Sequence, residues 1–143
     1  ISSAAADVYK RQAPRSPRGR AGGVCPCGLG MPYDACCGRF ISGVSSAPTA
    51  EALMRSRYSA YVLGDGAYVA RTWADETRPE GLRVDPAGEP FTRLQVVSVS
   101  GGGPFDAEGT VEFAAHYPGG VMRERSRFER LAGSWVYVDG VVQ

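Results

Sequence analysis

Four cysteines fall within thirteen residues, as Cys25-Pro26-Cys27 and, eight residues later, Cys36-Cys37, and no other cysteine occurs in the chain. Thiolates that close together can surround one metal ion. Soft sulfur ligands favour tetrahedral zinc, and a shell of four leaves no position for water, so such a site is structural rather than catalytic. The loop between the pairs suits a tight wrap. Gly28 and Gly30 tolerate positive φ, Pro32 stiffens the return and Gly38 follows the last ligand. Disulfides are the competing chemistry. A bond within either pair is strained, because a disulfide prefers Cα atoms about 4.4–6.8 Å apart. Cross-pairing stays open, but the N-terminal residues do not read as a secretory signal. A redox-active pair is expected at C-x-x-C spacing, which is absent. Metal-type cysteines without a targeting signal point to the cytoplasm.

The elements that must position these ligands follow from pattern. Residues 1–23 carry Lys10, Arg11, Arg15, Arg18 and Arg20 among Pro, Ser and Gly, and read as a disordered basic tail. Within it, Ala5-Ala6-Asp7-Val8-Tyr9-Lys10-Arg11-Gln12 resembles translated sequencing adapter, which leaves a native and a non-native origin of residues 1–12 both open, and no functional expectation rests on them. Residues 24–40 form the knuckle and 41–48 a linker, with the main domain over 47–143. Thr49 is a good N-cap, and Ala50, Leu53, Met54, Tyr58, Tyr61 and Val62 recur at helical spacing up to Gly64. Asp65 caps a second, short helix that buries Tyr68, Val69, Thr72 and Trp73. Residues 75–90 read as an irregular loop. The period then changes to two over 91–100, 110–117, 121–131 and 134–142, with glycine-rich breaks that suit hairpins. Helices followed by adjacent strands give an α+β fold, with the helices on one face of an antiparallel sheet.

Catalysis in such a domain needs an acid or base on the helix-facing side. His116, the single histidine, shares a face with Thr110, Glu112 and Ala114, while Val111, Phe113 and Tyr117 face the helices. His116 is therefore expected in solvent. In the next strand Arg123, Arg125 and Arg127 form one face, and Met122, Glu124, Ser126 and Phe128 the other. With Phe128 inward, Glu124 points inward too, nearer the mouth. It is either a base of raised pKa or, the favoured reading, a partner of Arg55 or Arg57 on the helix. Tyr58, Tyr61, Trp73, Trp135 and Tyr137 read as core first and cavity lining second.

The cysteine run, from Cys25 through Gly28, Leu29, Gly30, Met31, Pro32 and Tyr33 to Cys37, resembles the SEC-C motif, a zinc knuckle also found at the C-terminal tail of the SecA translocation ATPase. Spacing and Tyr33 match; the SecA version ends in Cys-His where this one ends in Cys-Cys. The strings Leu53-Met54-Arg55-Ser56-Arg57-Tyr58, Glu124-Arg125-Ser126-Arg127-Phe128 and Trp135-Val136-Tyr137-Val138-Asp139-Gly140 resemble the bacterial YchJ-like family. The resemblance spans residues 24–140. It implies a nuclear transport factor 2-like cone, in which a curved antiparallel sheet wraps the helices and can leave a pocket at its open end. Some members carry a second cysteine motif toward the C-terminus; none follows here before Gln143.

These readings lead to a non-enzymatic protein-interaction module with one structural Zn(2+) per chain. In SecA the related knuckle contributes to contact with the SecB chaperone, so the resemblance implies an as yet unidentified protein partner. Leu29, Met31, Tyr33 and Arg39 are the candidate contacts. The alternative is a small-ligand binder, or an isomerase- or dehydratase-like enzyme, with Tyr58, Arg57, Trp73 and Glu124 lining the cone. RNA binding is the weakest reading, because the knuckle offers only Tyr33 for stacking and only Arg39 as a cation. The net charge of +1 supplies no field toward nucleic acid or acidic membrane. No apolar run reaches the roughly 18 residues that span a bilayer. The outer sheet face, with its arginine stripe, leaves monomer and homodimer both open.

Overall fold

The computed structural model describes residues 23–143. The expected basic tail, apart from Gly23, lies outside the described residues. Among the described residues three α-helices precede four strands: α1 (Cys37–Ile41), α2 (Ala50–Leu63), α3 (Gly66–Arg71), β1 (Arg93–Gly101), β2 (Glu108–Tyr117), β3 (Gly120–Leu131) and β4 (Ser134–Val142). The boundaries have local causes. The Thr49 hydroxyl accepts from the Ala52 amide at 3.0 Å and starts α2. Gly64, at φ 77°, ends it in the left-handed conformation. The Asp65 carboxylate then accepts from the Tyr68 amide at 3.0 Å and starts α3. One element differs from the sequence reading: Cys37 opens a helix of five residues that runs into the expected linker. So short a segment has no readable periodicity and is held by packing.

The strands form one curved antiparallel meander in the order β1-β2-β3-β4. Its inner face carries Val111, Phe113, Met122, Phe128 and Tyr137, all buried in one core cluster with Leu53, Met54, Tyr61 and Val62 of α2. Each such side chain contributes roughly 1.5–3 kcal/mol by leaving water. β4 is also stitched to the segment after α3: the Tyr137 amide donates to the Thr72 carbonyl and the Ala74 amide to the Tyr137 carbonyl, both at 2.8 Å. The cysteines do not stand apart from this core. Cys25, Cys27, Cys36, Cys37 and Phe40 belong to the same buried cluster as the residues of α2 and the sheet.

The outer face follows the strand parity. His116 sits there and its Nε2 lies 3.0 Å from the Gln95 side-chain oxygen. Arg123 and Arg125 both donate to the Glu112 carboxylate, at 2.9 and 3.2 Å, and Arg127 donates to Asp139 at 2.7 and 2.8 Å. The arginine stripe is therefore paired rather than bare.

Candidate metal centre

The segment around the cysteines is a small hairpin. The Cys25 amide donates to the Met31 carbonyl and the Tyr33 amide to the Gly23 carbonyl, both at 2.8 Å. Gly28 and Gly30 carry the turn at φ 89° and 80°. A 3-10 turn over Tyr33–Ala35 then returns the chain to Cys36 and α1. The result converges all four side chains. Their Sγ atoms lie within 4.8 Å of one another, and those of Cys27 and Cys36 are 3.5 Å apart. A tetrahedral ion with metal–sulfur bonds of about 2.3 Å wants sulfurs about 3.8 Å apart. All four are free thiols and buried.

The thiols also act strongly on one another's ionisation. Cys25 is pulled below the ordinary thiol range by S–H donation from Cys27 and Cys37. Cys36 is pushed up to about 12, by burial first and by Cys27 next. Cys37 is also pushed up, chiefly because Cys25 and Cys27 hold its proton. Thiols packed this closely cannot all ionise side by side unless a cation shares the site. The donor set thus fits one metal ion, held by Cys25, Cys27, Cys36 and Cys37.

Two side chains of α2 close over this cluster. Arg55 Nη1 donates to the Cys27 carbonyl at 2.9 Å, while its Nε is held by Glu51 at 3.0 Å. The Ser59 hydroxyl lies 3.7 Å from Cys25 Sγ. Neither pairing was legible beforehand, and Arg55 is therefore not the partner of Glu124 that the sequence reading allowed; it is committed to the knuckle.

The four candidate contact residues divide. Leu29 and Met31 stand at 52% and 40% exposure on the loop between the buried cysteine pairs, beside Val24. Tyr33 is half-buried, with its ring so close to Gly38 that a Cβ there would meet it at 2.8 Å. Burial, then the charges of Cys37 and Cys25, push its phenol up to about 12. Arg39 is exposed, with Nε donating to the Cys36 carbonyl at 3.3 Å and its guanidinium over the Phe40 ring. Tyr33 and Arg39 line a surface groove of about 480 Å³ with Ile41, Val44, Asp34 and Asp65.

Of the four residues expected around a cone pocket, Arg57, Trp73 and Glu124 gather around Tyr137 inside packed core, while the Tyr58 ring lies 5.9 Å from that of Phe91. Glu124, Arg57 and Tyr58 are 0–1% exposed, so Glu124 is not at an open mouth. Its carboxylate accepts from Ser126 at 2.7 Å and from Tyr137 at 2.9 Å. A Cβ on Gly140 would meet that carboxylate at 2.2 Å, so the space beside it is filled. Arg57 Nη1 donates to the Val69 carbonyl at 2.9 Å and the Thr72 hydroxyl at 2.8 Å. Its Nε and Nη2 find no acceptor, and the guanidinium lies 5.0 and 4.6 Å from the ring centroids of Trp73 and Tyr137. Burial lowers its pKa, while Tyr61, Tyr137 and Glu124 oppose that loss. Tyr137 links the two charges, its hydroxyl on Glu124 and its ring face on Arg57. Ser126 was missing from the expected set, although strand parity had placed it on the same face as Glu124, and Tyr137 had been read only as core or cavity lining.

Comparison with known proteins agrees with this architecture. Residues 49–140 match the family described as YchJ, middle NTF2-like domain. A UPF0225 protein of Streptomyces coelicolor is 54% identical over 116 residues, covering 81% of this chain and 93% of that protein. The solution structure of a SEC-C motif containing protein from Rhodopseudomonas palustris superposes with a TM-score of 0.70 at 37% identity, covering 83% of this chain and 98% of that one. An NTF-2 like protein from Silicibacter pomeroyi, at 18% identity and a TM-score of 0.50 over 66% of this chain and 92% of that one, shares the fold alone. With this match across the main domain and the cysteine knuckle in front of it, the chain belongs to the YchJ-like family, the UPF0225 proteins, whose NTF2-like domain here follows a SEC-C-type cysteine motif.

Proposed function

We propose that this protein is a non-enzymatic protein-interaction module in which four cysteines hold one structural zinc ion and the loop between them docks a protein partner. The observation that carries this reading is the contrast along the knuckle: the cysteines are at most 4% exposed, while Leu29 and Met31 between them are turned to solvent. A closed shell of four thiolates favours zinc and fixes the loop that bridges it. Apolar side chains held out on a rigid loop fit an apolar strip on another protein, since little ordering entropy is lost on binding. No helix among the described residues is long and apolar enough to cross a membrane. Reduced thiols and a zinc site suit the cytoplasm. The burial of Arg57, Tyr58 and Glu124 favours a packed core over a ligand site in the cone. The half-buried Tyr33 ring weakens the case for base stacking.

Metal analysis on protein purified without added metal is the first test, with about one zinc per chain expected and four thiols becoming reactive after chelation. The second test compares proteins retained from bacterial lysate by wild type and by Leu29→Asp/Met31→Asp. Loss of a specific band by the variant, with its zinc retained, is the expected result. Identical retained proteins would remove the docking role from this loop.

A further inference from the structure

α2 sorts its polar side chains by face. Arg55 and Ser59, four residues apart, share the face that meets the cysteines. Ser56 and Arg57 turn toward α3: the hydroxyls of Ser56 and Tyr68 are 2.7 Å apart, and Arg57 donates to Val69 and Thr72. The string Arg55-Ser56-Arg57, which stands out in the sequence, thus splits between two tasks.

We propose that Arg55 and Ser59 are positioning residues of the metal centre, so that the main helix of the cone governs how tightly the knuckle holds its ion. This rests on the reading that the cysteines bind metal. Once Cys25 is a ligand it is a thiolate and has no proton to give, so in the Ser59–Cys25 contact the Ser59 hydroxyl must be the donor. A hydrogen bond to a ligating sulfur stabilises the thiolate against protonation and draws charge from it. Ser59 is fully buried, so that donor has no water competing for it. Arg55 acts on the next ligand differently. It fixes the peptide carbonyl of Cys27, at the point where the chain turns into Gly28, and its own fork is oriented by Glu51. A divalent ion among four thiolates leaves the centre with about two excess negative charges. The Arg55 guanidinium, only 15% exposed, brings one positive charge, shared with Glu51, to the edge of that centre where water screens poorly.

The test uses the full chain loaded with cobalt(II), as wild type, Ser59→Ala, Arg55→Ala and Arg55→Lys. Three readouts are taken: the thiolate-to-cobalt charge-transfer band, the rate of metal loss to a chelator, and the near-ultraviolet circular dichroism of the folded cone. Ser59→Ala is expected to shift the band and speed metal loss about 10–100-fold, with the dichroism kept. Arg55→Ala is expected to speed loss similarly, and Arg55→Lys to recover much of it through a single donor to the Cys27 carbonyl. If Arg55→Ala fails to fold, Ser59→Ala decides alone, because it removes one oxygen and nothing else. An unchanged band and release rate in folded Ser59→Ala would overturn the role of Ser59, and the same result in both variants would overturn the proposal. A wild type that shows no charge-transfer band would overturn the metal reading and this proposal together.

Discussion

The cysteine cluster and the Glu124–Arg57 cluster both take ionisable side chains out of water, and α2 reaches both. The first contains four groups that become negative when ionised. The second contains one carboxylate and one guanidinium with Tyr137 between them. A set of one sign stays neutral only while protonated and can ionise fully only with a cationic guest; a mixed set can be completed from within. Burial alone therefore does not mark a functional site. The mark here is four soft donors of one kind converging on a single point, and that singles out the cysteines.

Removing the guest should have the largest effect. Structural zinc in small peptides contributes an apparent 10–16 kcal/mol or so; here, with a separate apolar core, chelation or Cys36→Ser should cost several kcal/mol, read as a lower urea midpoint. A midpoint unmoved by chelation would show that the cysteines need no ion. Breaking the mixed set comes next. Arg57→Ala leaves Glu124 with less compensation and should cost about 3–5 kcal/mol. Metal content should stay at the wild-type level, and its loss would show that the two clusters are a single unit. Thr49→Ala touches neither cluster and should cost about 1 kcal/mol through the lost cap at the start of α2.

The smallest effect belongs to the outer face. Arg125 and then Arg123 hold the Glu112 carboxyl below its ordinary range, and Arg127 does the same for Asp139. A carboxylate with a depressed folded pKa binds fewer protons when folded. Its contribution is full above the unfolded value, about 4, and is lost as pH falls through the folded value. Urea midpoints at pH 6 and pH 3 should therefore converge somewhat between wild type and Glu112→Gln/Asp139→Asn as the solution is acidified. High salt should shrink the difference, since these pairs are exposed.

Much of this was legible from local signals. Thr49, Gly64 and Asp65 announced the ends of α2 and α3, and alternation set the inward face of β3 from Met122 to Phe128. Four cysteines close in sequence announced their own site, because short spacing guarantees proximity. What stayed hidden depended on tertiary contact. Nothing local links Arg55 to Cys27 or Ser59 to Cys25, and helical periodicity does not say which of two arginines, Arg55 or Arg57, meets the knuckle. Tyr137 looked like any aromatic core residue until its hydroxyl was seen on Glu124. The half-buried position of Tyr33 follows from the close approach of its ring to Gly38, which spacing alone does not reveal.

Chain order gives the knuckle a further consequence. Every strand that covers α2 lies after it in sequence, whereas all four cysteines lie before it. A chain leaving the ribosome thus completes its ligand set at Cys37, then makes α2, and only later makes the sheet. During that interval the apolar Leu53, Met54 and Tyr61 have no strands to pack against, the situation in which nascent chains aggregate. Arg55 and Ser59 give the young helix an earlier surface to dock on, so a loaded knuckle would serve as a temporary anchor while β1 to β4 are added one hairpin at a time.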